Sequence, residues 1–146
     1  MIVVNPEDNR TIYLNRGDET SEFFPLAFYF PIWNDETKQE EKYLFQLDDK
    51  ISFVVMKKKG YTKEELFRVE KTLREMGEVE PTYYPEIQLT SEDTKKFDLK
   101  DKSATYWFDI VLNDTTTILG FMIDDDDKLG ASKIIVMPEA EEKESD

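Results

Sequence analysis

Apolar and polar residues alternate over short stretches of this chain, a pattern typical of strands with one buried face. In residues 104–113, "ATYWFDIVLN", the apolar positions Tyr106, Phe108, Ile110 and Leu112 share one side. Within residues 50–57, one side of the predicted strand likewise carries apolar residues, namely Ile51, Phe53 and Val55. Strands of this kind are predicted within residues 10–15, 22–31, 42–47, 50–57, 86–89, 104–113, 115–121 and 132–138.

Turn-forming residues separate these stretches. Arg16-Gly17-Asp18 reverses the chain after the first strand, and Asn113-Asp114 predicts a hairpin turn between two later ones. Residues 31–42, "PIWNDETKQEEK", are predicted to form a polar loop. Short strands at these turn spacings are compatible with a β-sandwich of about seven strands.

Residues 62–77 carry two conflicting patterns. Thr62 and Glu65 form a capping-box signature, Gly77 offers a C-terminal cap, and an apolar stripe repeats at helical spacing in Leu66, Val69, Leu73 and Met76. Yet "LFRVE" also alternates as a strand does. Taken alone, these residues favour one short helix within 62–77.

A second, shorter helical signal follows residues 86–89. Thr90 or Ser91 can cap a helical turn, and Glu92 and Asp93 are favourably placed in its first turn. A short helical turn is therefore predicted here.

Composition excludes several classes of function. The chain has 146 residues and a formal net charge of -14, which argues against nucleic-acid binding because neutralising phosphates needs clustered Lys and Arg. It contains no Cys and no His, so it lacks thiolate chemistry, Ser-His dyads and the commonest zinc ligand. It has no phosphate-cradling glycine-rich loop. We therefore expect a non-enzymatic protein without a cofactor.

The cellular location is predicted from the length of the apolar stretches and from the charge of the N-terminus. None approaches the roughly 20 residues of a membrane span, and the N-terminus has no basic region of a signal peptide. The chain is expected to be soluble and to be made in the bacterial cytoplasm.

The acidic run Asp124–Asp127, which Lys128 follows, does not match the ligand pattern of an EF-hand calcium site. With Gly130 aligned to the glycine of an EF-hand loop, Leu129 and Val136 occupy ligand positions that need oxygen. No metal site is predicted, and the run is interpreted as an exposed hairpin loop. A weak cation site in this loop stays open.

Aromatic residues provide the candidate interaction surface. Trp33, Tyr83 and Tyr84 lie near prolines in loop-like context, whereas the aromatic residues of the strands are expected in the core. Trp and Tyr favour contact surfaces for proteins and carbohydrates. These three residues are the predicted interaction site.

Four segments, taken in order, carry a family resemblance. They are "TIYLNRGDETSEFFPLAF", "KYLFQLDDKISFVVMKK", "IQLTSEDTKKF" and "ATYWFDIVLNDTTTILGF…SKIIVMPE". This succession resembles small proteins from the tail regions of phages and prophages of Gram-positive bacteria. It is also similar to the N-terminal domain of the siphophage upper baseplate protein. Within it, "L-T-x-x-D-T" at 89–94 precedes a strand with "Y-x-x-x-[IVL]" at 106–110.

The resemblance implies an all-β, immunoglobulin-like antiparallel β-sandwich, and it favours a strand within Glu65 to Val69. We expect a single domain over residues 1–139 and an acidic disordered tail over 140–146. The long segment 59–85 departs from the pattern, as does the lack of a following receptor-facing domain.

The expected function is that of a non-enzymatic structural protein of a phage tail or baseplate. It would contact other phage structural proteins or copies of itself, without nucleic acid or membrane insertion, and it would reside in the virion after assembly. Two alternatives stay open. One is a carbohydrate- or ligand-binding β-sandwich module; the other is an acidic host-takeover protein that mimics nucleic acid.

Overall fold

The computed structural model describes residues 1–5, 7, 11–21, 25–57, 64–99, 102–118 and 132–138. The Asp124–Asp127 run and the predicted tail 140–146 lie outside these residues. The described strands are β1 (Val3–Val4), β2 (Ile12–Asn15), β3 (Leu26–Ala27), β4 (Pro31–Asn34), β5 (Gln39–Lys42), β6 (Lys50–Met56), β7 (Glu65–Thr72), β8 (Glu86–Ile87), β9 (Ala104–Leu112), β10 (Thr116–Ile118) and β11 (Ser132–Met137), with one short helix, α1 (Ser91–Thr94).

Most of the strands form one seven-stranded sheet. Its order is β1-β2-β11-β9-β6-β7, and β10 also pairs with β9. β2 and β11 run parallel, whereas the other pairs are antiparallel. Ile118 pairs with Ile110 and Ser132 with Phe108, so β10 and β11 lie end to end along one edge of β9.

A second layer covers one face of this sheet. It contains the two-stranded β3–β8 sheet, whose Leu26 and Ile87 are buried in the same cluster as the side chains of the large sheet. The largest fully buried side chains in the core include Ile12, Leu14, Leu26, Phe28, Phe45, Ile51, Phe53, Phe97 and Phe108. The all-β prediction is confirmed.

Alternation predicts β9 well and β6 only in part. Tyr106, Phe108, Ile110 and Leu112 are all buried, as predicted. In β6 the predicted inner face is buried, but its alternate residues Ser52, Val54 and Met56 are buried as well. β6 lies between β9 and β7, so long side chains of both neighbours flank its outer face.

The predicted helix within 62–77 is wrong, because β7 occupies Glu65–Thr72 and pairs with β6. Pairing beside a buried strand outweighs a helical propensity that would bury only one stripe. A register shift at Val55/Met56 leaves Leu66 without a partner on β6, so Leu66 and Phe67 both reach apolar surroundings. Thr62, the expected cap, lies outside the described residues.

The predicted polar loop 31–42 is also wrong, since these residues form the β4–β5 hairpin. Conversely, two predicted strands are shorter than expected. Among the described residues between Pro25 and Phe30 the strand is Leu26–Ala27, and Pro31 already belongs to β4. After Lys42, which ends β5, Phe45 forms an isolated bridge to Thr82. In both segments buried aromatic rings pack into the core without a continuous ladder.

The predicted Asn113-Asp114 turn and the predicted helical cap at Thr90 are confirmed. Asn113 and Asp114 have φ values of 51° and 64°, as the central residues of a type I′ turn require. Thr90 caps α1, accepting a hydrogen bond from the Asp93 N–H while the Asp93 carboxylate accepts one from the Thr90 N–H. The Tyr106 hydroxyl bonds the backbone N–H and C=O of Asp98, which ties the segment after α1 to β9.

Candidate interaction surface

The β4–β5 hairpin, residues 31–42, forms a two-stranded sheet of its own and is called the arm below. No residue of either strand is buried. Successive residues of a strand point to opposite faces, so Ile32 (40% exposed) and Trp33 (59% exposed) lie on opposite faces of the arm. The arm thus exposes apolar side chains on both faces.

The tip of the arm is ordered by local hydrogen bonds. The Asn34 side-chain oxygen accepts from the N–H groups of Glu36 and Thr37, and its amide donates to Glu41 Oε2 at 3.1 Å. Lys38 takes the positive φ of 59° that closes the turn. This Asn turn is the local reason that a polar segment folds as a hairpin.

The base of the arm is held to the body by Tyr43. Its N–H donates to the Phe30 carbonyl at 2.8 Å, and its ring contacts those of Phe30 and Phe45 edge-on. The Tyr43 hydroxyl donates to Asp49 Oδ2 at 2.8 Å. Burial, followed by this carboxylate, raises the pKa of Tyr43.

Asp49 joins this base to the β9–β10 turn. It accepts hydrogen bonds from Tyr43, from the Gln46 N–H and from the Asn113 amide. Burial acts to raise the pKa of Asp49, but the hydrogen bonds from Asn113, Gln46 and Tyr43 outweigh it and lower the pKa. Three hydrogen bonds to the Asp49 carboxylate therefore connect the base of the arm to the β9–β10 turn.

One face of the arm adjoins two tyrosines. Trp33 is opposite Glu40, and Lys42 is opposite Pro31, so Trp33 and Lys42 share a face. The Lys42 Nζ lies 5.2 Å from the ring centre of Tyr29 and 5.9 Å from that of Tyr84. These distances are within the range of cation–π contacts.

The three residues predicted from sequence are all exposed: Trp33, Tyr83 (46%) and Tyr84 (44%). The structure brings Tyr84 to Lys42 and places Trp33 on the same arm face. Within the described residues, the rings of Trp33, Tyr83 and Tyr84 do not contact one another. Their role as an interaction surface stays a prediction.

Tyr29 and Lys42 belong to this surface but were not predicted. Tyr29 lies in an apolar run that predicts a buried strand, and its ring meets that of Tyr84 edge-on with centroids 6.2 Å apart. Lys42 lies in the segment 31–42 that the sequence predicts to be a polar loop. Only the register of the hairpin, which places Lys42 opposite Pro31, reveals its position.

A cavity and a half-buried carboxylate lie apart from this surface. A cavity of about 310 Å³ lies between Thr20–Ser21 and Gln88–Thr90, with Glu19 and Glu86 in its lining. The described residues contain no group of three or more Asp or Glu placed to hold a metal ion.

Asp109 is the second feature, on the outer face of β9. It lies opposite Val54 of β6, and burial raises the pKa of its carboxyl group. Among the described residues, no side chain or backbone group forms a hydrogen bond or ion pair with its carboxylate.

Comparison of the chain with family models, with curated proteins and with solved structures gave no match. Of the helices in the described part of the chain, none is long and apolar enough to cross a membrane.

Proposed function

We propose that this chain is a non-enzymatic structural protein of a phage or prophage tail or baseplate that acts through protein–protein contacts. The observation that carries the proposal is the arm, which holds Trp33 and Ile32 in water on a prefolded support. Prefolded apolar elements bind at a low entropic cost, as contact elements of assemblies do. Trp is also among the residues that most often dominate binding energy.

The proposal includes an immunoglobulin-like type of sandwich. Three features support it: the sheet order from β2 to β7, the parallel pairing of β2 with β11, and the β3–β8 pair across the core. The Tyr106 hydroxyl, which bonds the Asp98 backbone eight residues upstream, resembles the tyrosine corner of such folds.

Mass spectrometry of phage particles tests the proposal directly. After induction of the phage or prophage that carries the gene, purified particles should contain this chain at a constant ratio to the major tail proteins. A Trp33→Ala chain should be lost from the particles, whereas Tyr13→Ala, which truncates an exposed aromatic residue on the large sheet, should be retained. Particles that contain the major tail proteins but not this chain would overturn the proposal.

The flanking genes supply an independent test. Tape-measure, distal-tail and lysis genes next to this gene would support a tail function. An unrelated operon would contradict it.

A carbohydrate-binding module is a second candidate, favoured by the grouping of Tyr29, Tyr84 and Lys42 beside the Trp33 face. Exposed aromatic rings stack on the apolar faces of sugars, and a lysine supplies hydrogen bonds. A glycan array should then show binding that Trp33→Ala or Tyr84→Ala abolishes. An array without any bound glycan contradicts this candidate and leaves the first intact.

A further inference from the structure

The outer edge of β4 presents unpaired backbone groups. Antiparallel residue pairs alternate between those that exchange both hydrogen bonds and those that exchange none. The bond from the Tyr43 N–H to the Phe30 carbonyl marks Phe30–Tyr43 as a bonded pair. By alternation, Pro31–Lys42 and Trp33–Glu40 are unbonded pairs. The Trp33 N–H and C=O therefore point away from β5.

Trp33 is the central group of this edge. The backbone of Pro31 also faces away from β5. Because proline has no backbone N–H, it leaves no donor unpaired there, which suits it to an open edge. Among the described strands, only β5 pairs with β4. A two-stranded hairpin alone is marginally stable in water, and additional strands stabilise it.

Charge distinguishes β4 from its partner β5 and from the edge strand β7, and β4 is longer than the uncharged strands β1, β3 and β10. β4, "PIWN", carries no charged residue, whereas β5 carries Glu40 and Glu41 and the edge strand β7 carries Glu65 and Glu70. In a chain of net charge -14, two copies that met through β5 or β7 would bring carboxylates together. Charged edges of this kind resist pairing, and β4 lacks the protection.

We propose that β4 pairs antiparallel with β4 of a second copy of this chain, about a twofold axis at Trp33. Trp33 then faces Trp33 of the second copy, Ile32 faces Asn34, and Pro31 faces Asp35. The two arms form one four-stranded sheet in which no carboxylate opposes another. This inference deepens the proposed function, on which its biological setting rests, by naming a self-assembly contact.

The energetic reason lies in the two tryptophans. Directly opposed aromatic side chains are among the most stabilising cross-strand pairs. The pairing also satisfies the outward N–H and C=O of Trp33 in both copies. An interface of this length is small, so we expect a dimer that depends on concentration.

Cysteine cross-linking tests the geometry, because the chain has no cysteine of its own. At the proposed axis, Trp33→Cys places two Cα atoms about 5.5 Å apart, within the reach of a disulfide. The matched control, Glu40→Cys, lies on the same face but one strand away from the edge. Its two copies would be about 14 Å apart, three strand spacings.

Mild oxidation should convert Trp33→Cys into a covalent dimer at least about tenfold faster than Glu40→Cys, whose sulfur atoms lie out of reach. Equal rates of covalent dimer formation for Trp33→Cys and Glu40→Cys would overturn the inference.

Light scattering after size exclusion tests the contact without cross-linking. The mass of the wild-type protein should rise with concentration from that of one chain towards that of two. Trp33→Lys opposes two like charges at the axis and should stay a monomer, whereas Tyr13→Lys should still dimerise. A wild type that is monomeric at every concentration, or a dimer that survives Trp33→Lys, contradicts the inference.

The two proposals fail separately. A monomer found in purified particles overturns the β4 pairing and leaves the tail function standing. A dimer that is absent from the particles does the reverse.

Discussion

The strand pair β6–β7 of the large sheet and the arm β4–β5 are both antiparallel, yet β6 is buried and the arm is not. Six of the seven residues of β6 are buried, and none of the residues of β4 or β5 is. The difference comes from neighbours, because β9 flanks β6 on its other edge while β4 and β5 pair only with each other in the described chain. Backbone pairing alone therefore does not bury a strand.

This contrast separates the region that stabilises the fold from the region proposed to make contacts. Burial of apolar surface in the large sheet supplies the main favourable contribution to folding. The arm contributes little burial, so packing in the core does not constrain its side chains. Variants in the two regions should consequently affect different measurements.

The largest expected effect is that of Phe53→Ala in β6. Phe53 is 1% exposed, and its ring lies 5.0 Å from that of Phe108. Its loss leaves a cavity in the core and should lower the free energy of unfolding by about 3–5 kcal/mol. Trp33→Ala in the arm is the matched control, with an expected change below about 0.5 kcal/mol. Urea denaturation monitored by circular dichroism measures both, and similar losses would contradict the contrast.

Asp49→Asn tests the support on which the arm is mounted. The substitution keeps the shape of the side chain but sets an amide against the Gln46 N–H or the Asn113 amide, both donors. We expect a loss of about 1–3 kcal/mol in the free energy of unfolding. Asp48→Asn is the control, since the Asp48 side chain is 85% exposed and forms only a surface ion pair with Arg74.

The pH dependence of Asp49 has a definite sign. Its pKa is lowered in the folded state, so its stabilisation is present above the unfolded pKa of about 4 and is lost as pH falls through the folded pKa. The difference between the wild type and Asp49→Asn should therefore shrink in acid. The free energies of unfolding of the two proteins would be compared as the pH falls well below about 4, the pKa of a free carboxyl group. A difference between them that stays constant over this range would contradict the role of Asp49.

Much of the large sheet could be predicted from the sequence because one-sided burial leaves a period of two. β9 and β11 show it, and the Asn113-Asp114 turn has residues that accept a positive φ. β7 could not be predicted in this way. Its pairing partner β6 and the irregularity at Val55/Met56 decide its conformation, and neither is visible in the local pattern of residues 62–77.

The arm and its surface were predicted only in part. Exposure of Trp33, Tyr83 and Tyr84 follows from their proline-rich, loop-like context. The hairpin itself was missed because β5 reads "QEEK" and has no apolar alternation, since neither of its faces is buried. Lys42 joins the tyrosines through cross-strand register, which depends on the turn at Asn34 and Lys38.

The smallest expected effect is a gain in stability, and it concerns Asp109 on the outer face of β9 in the large sheet. Burial raises the pKa of its carboxyl group, which has no hydrogen bond or ion pair within the described residues. Asp109→Asn should therefore raise the free energy of unfolding at neutral pH by about 0.5–1 kcal/mol. The control is Asp114→Asn, which removes an exposed carboxylate that pairs with Lys50 Nζ at 2.8 Å and should not stabilise.

The pH dependence of Asp109 reverses that of Asp49. Because the pKa of Asp109 is higher in the folded than in the unfolded state, the free energy of unfolding of the wild type falls as the pH rises from the unfolded pKa through the folded pKa. The wild type regains this stability when the pH is lowered. The advantage of Asp109→Asn should accordingly disappear in acid, as thermal unfolding at a series of pH values would show. An advantage that persists at low pH would mean that packing, and not the buried charge, is responsible. Asp109 would then be a structural feature of β9 without an electrostatic cost to the fold.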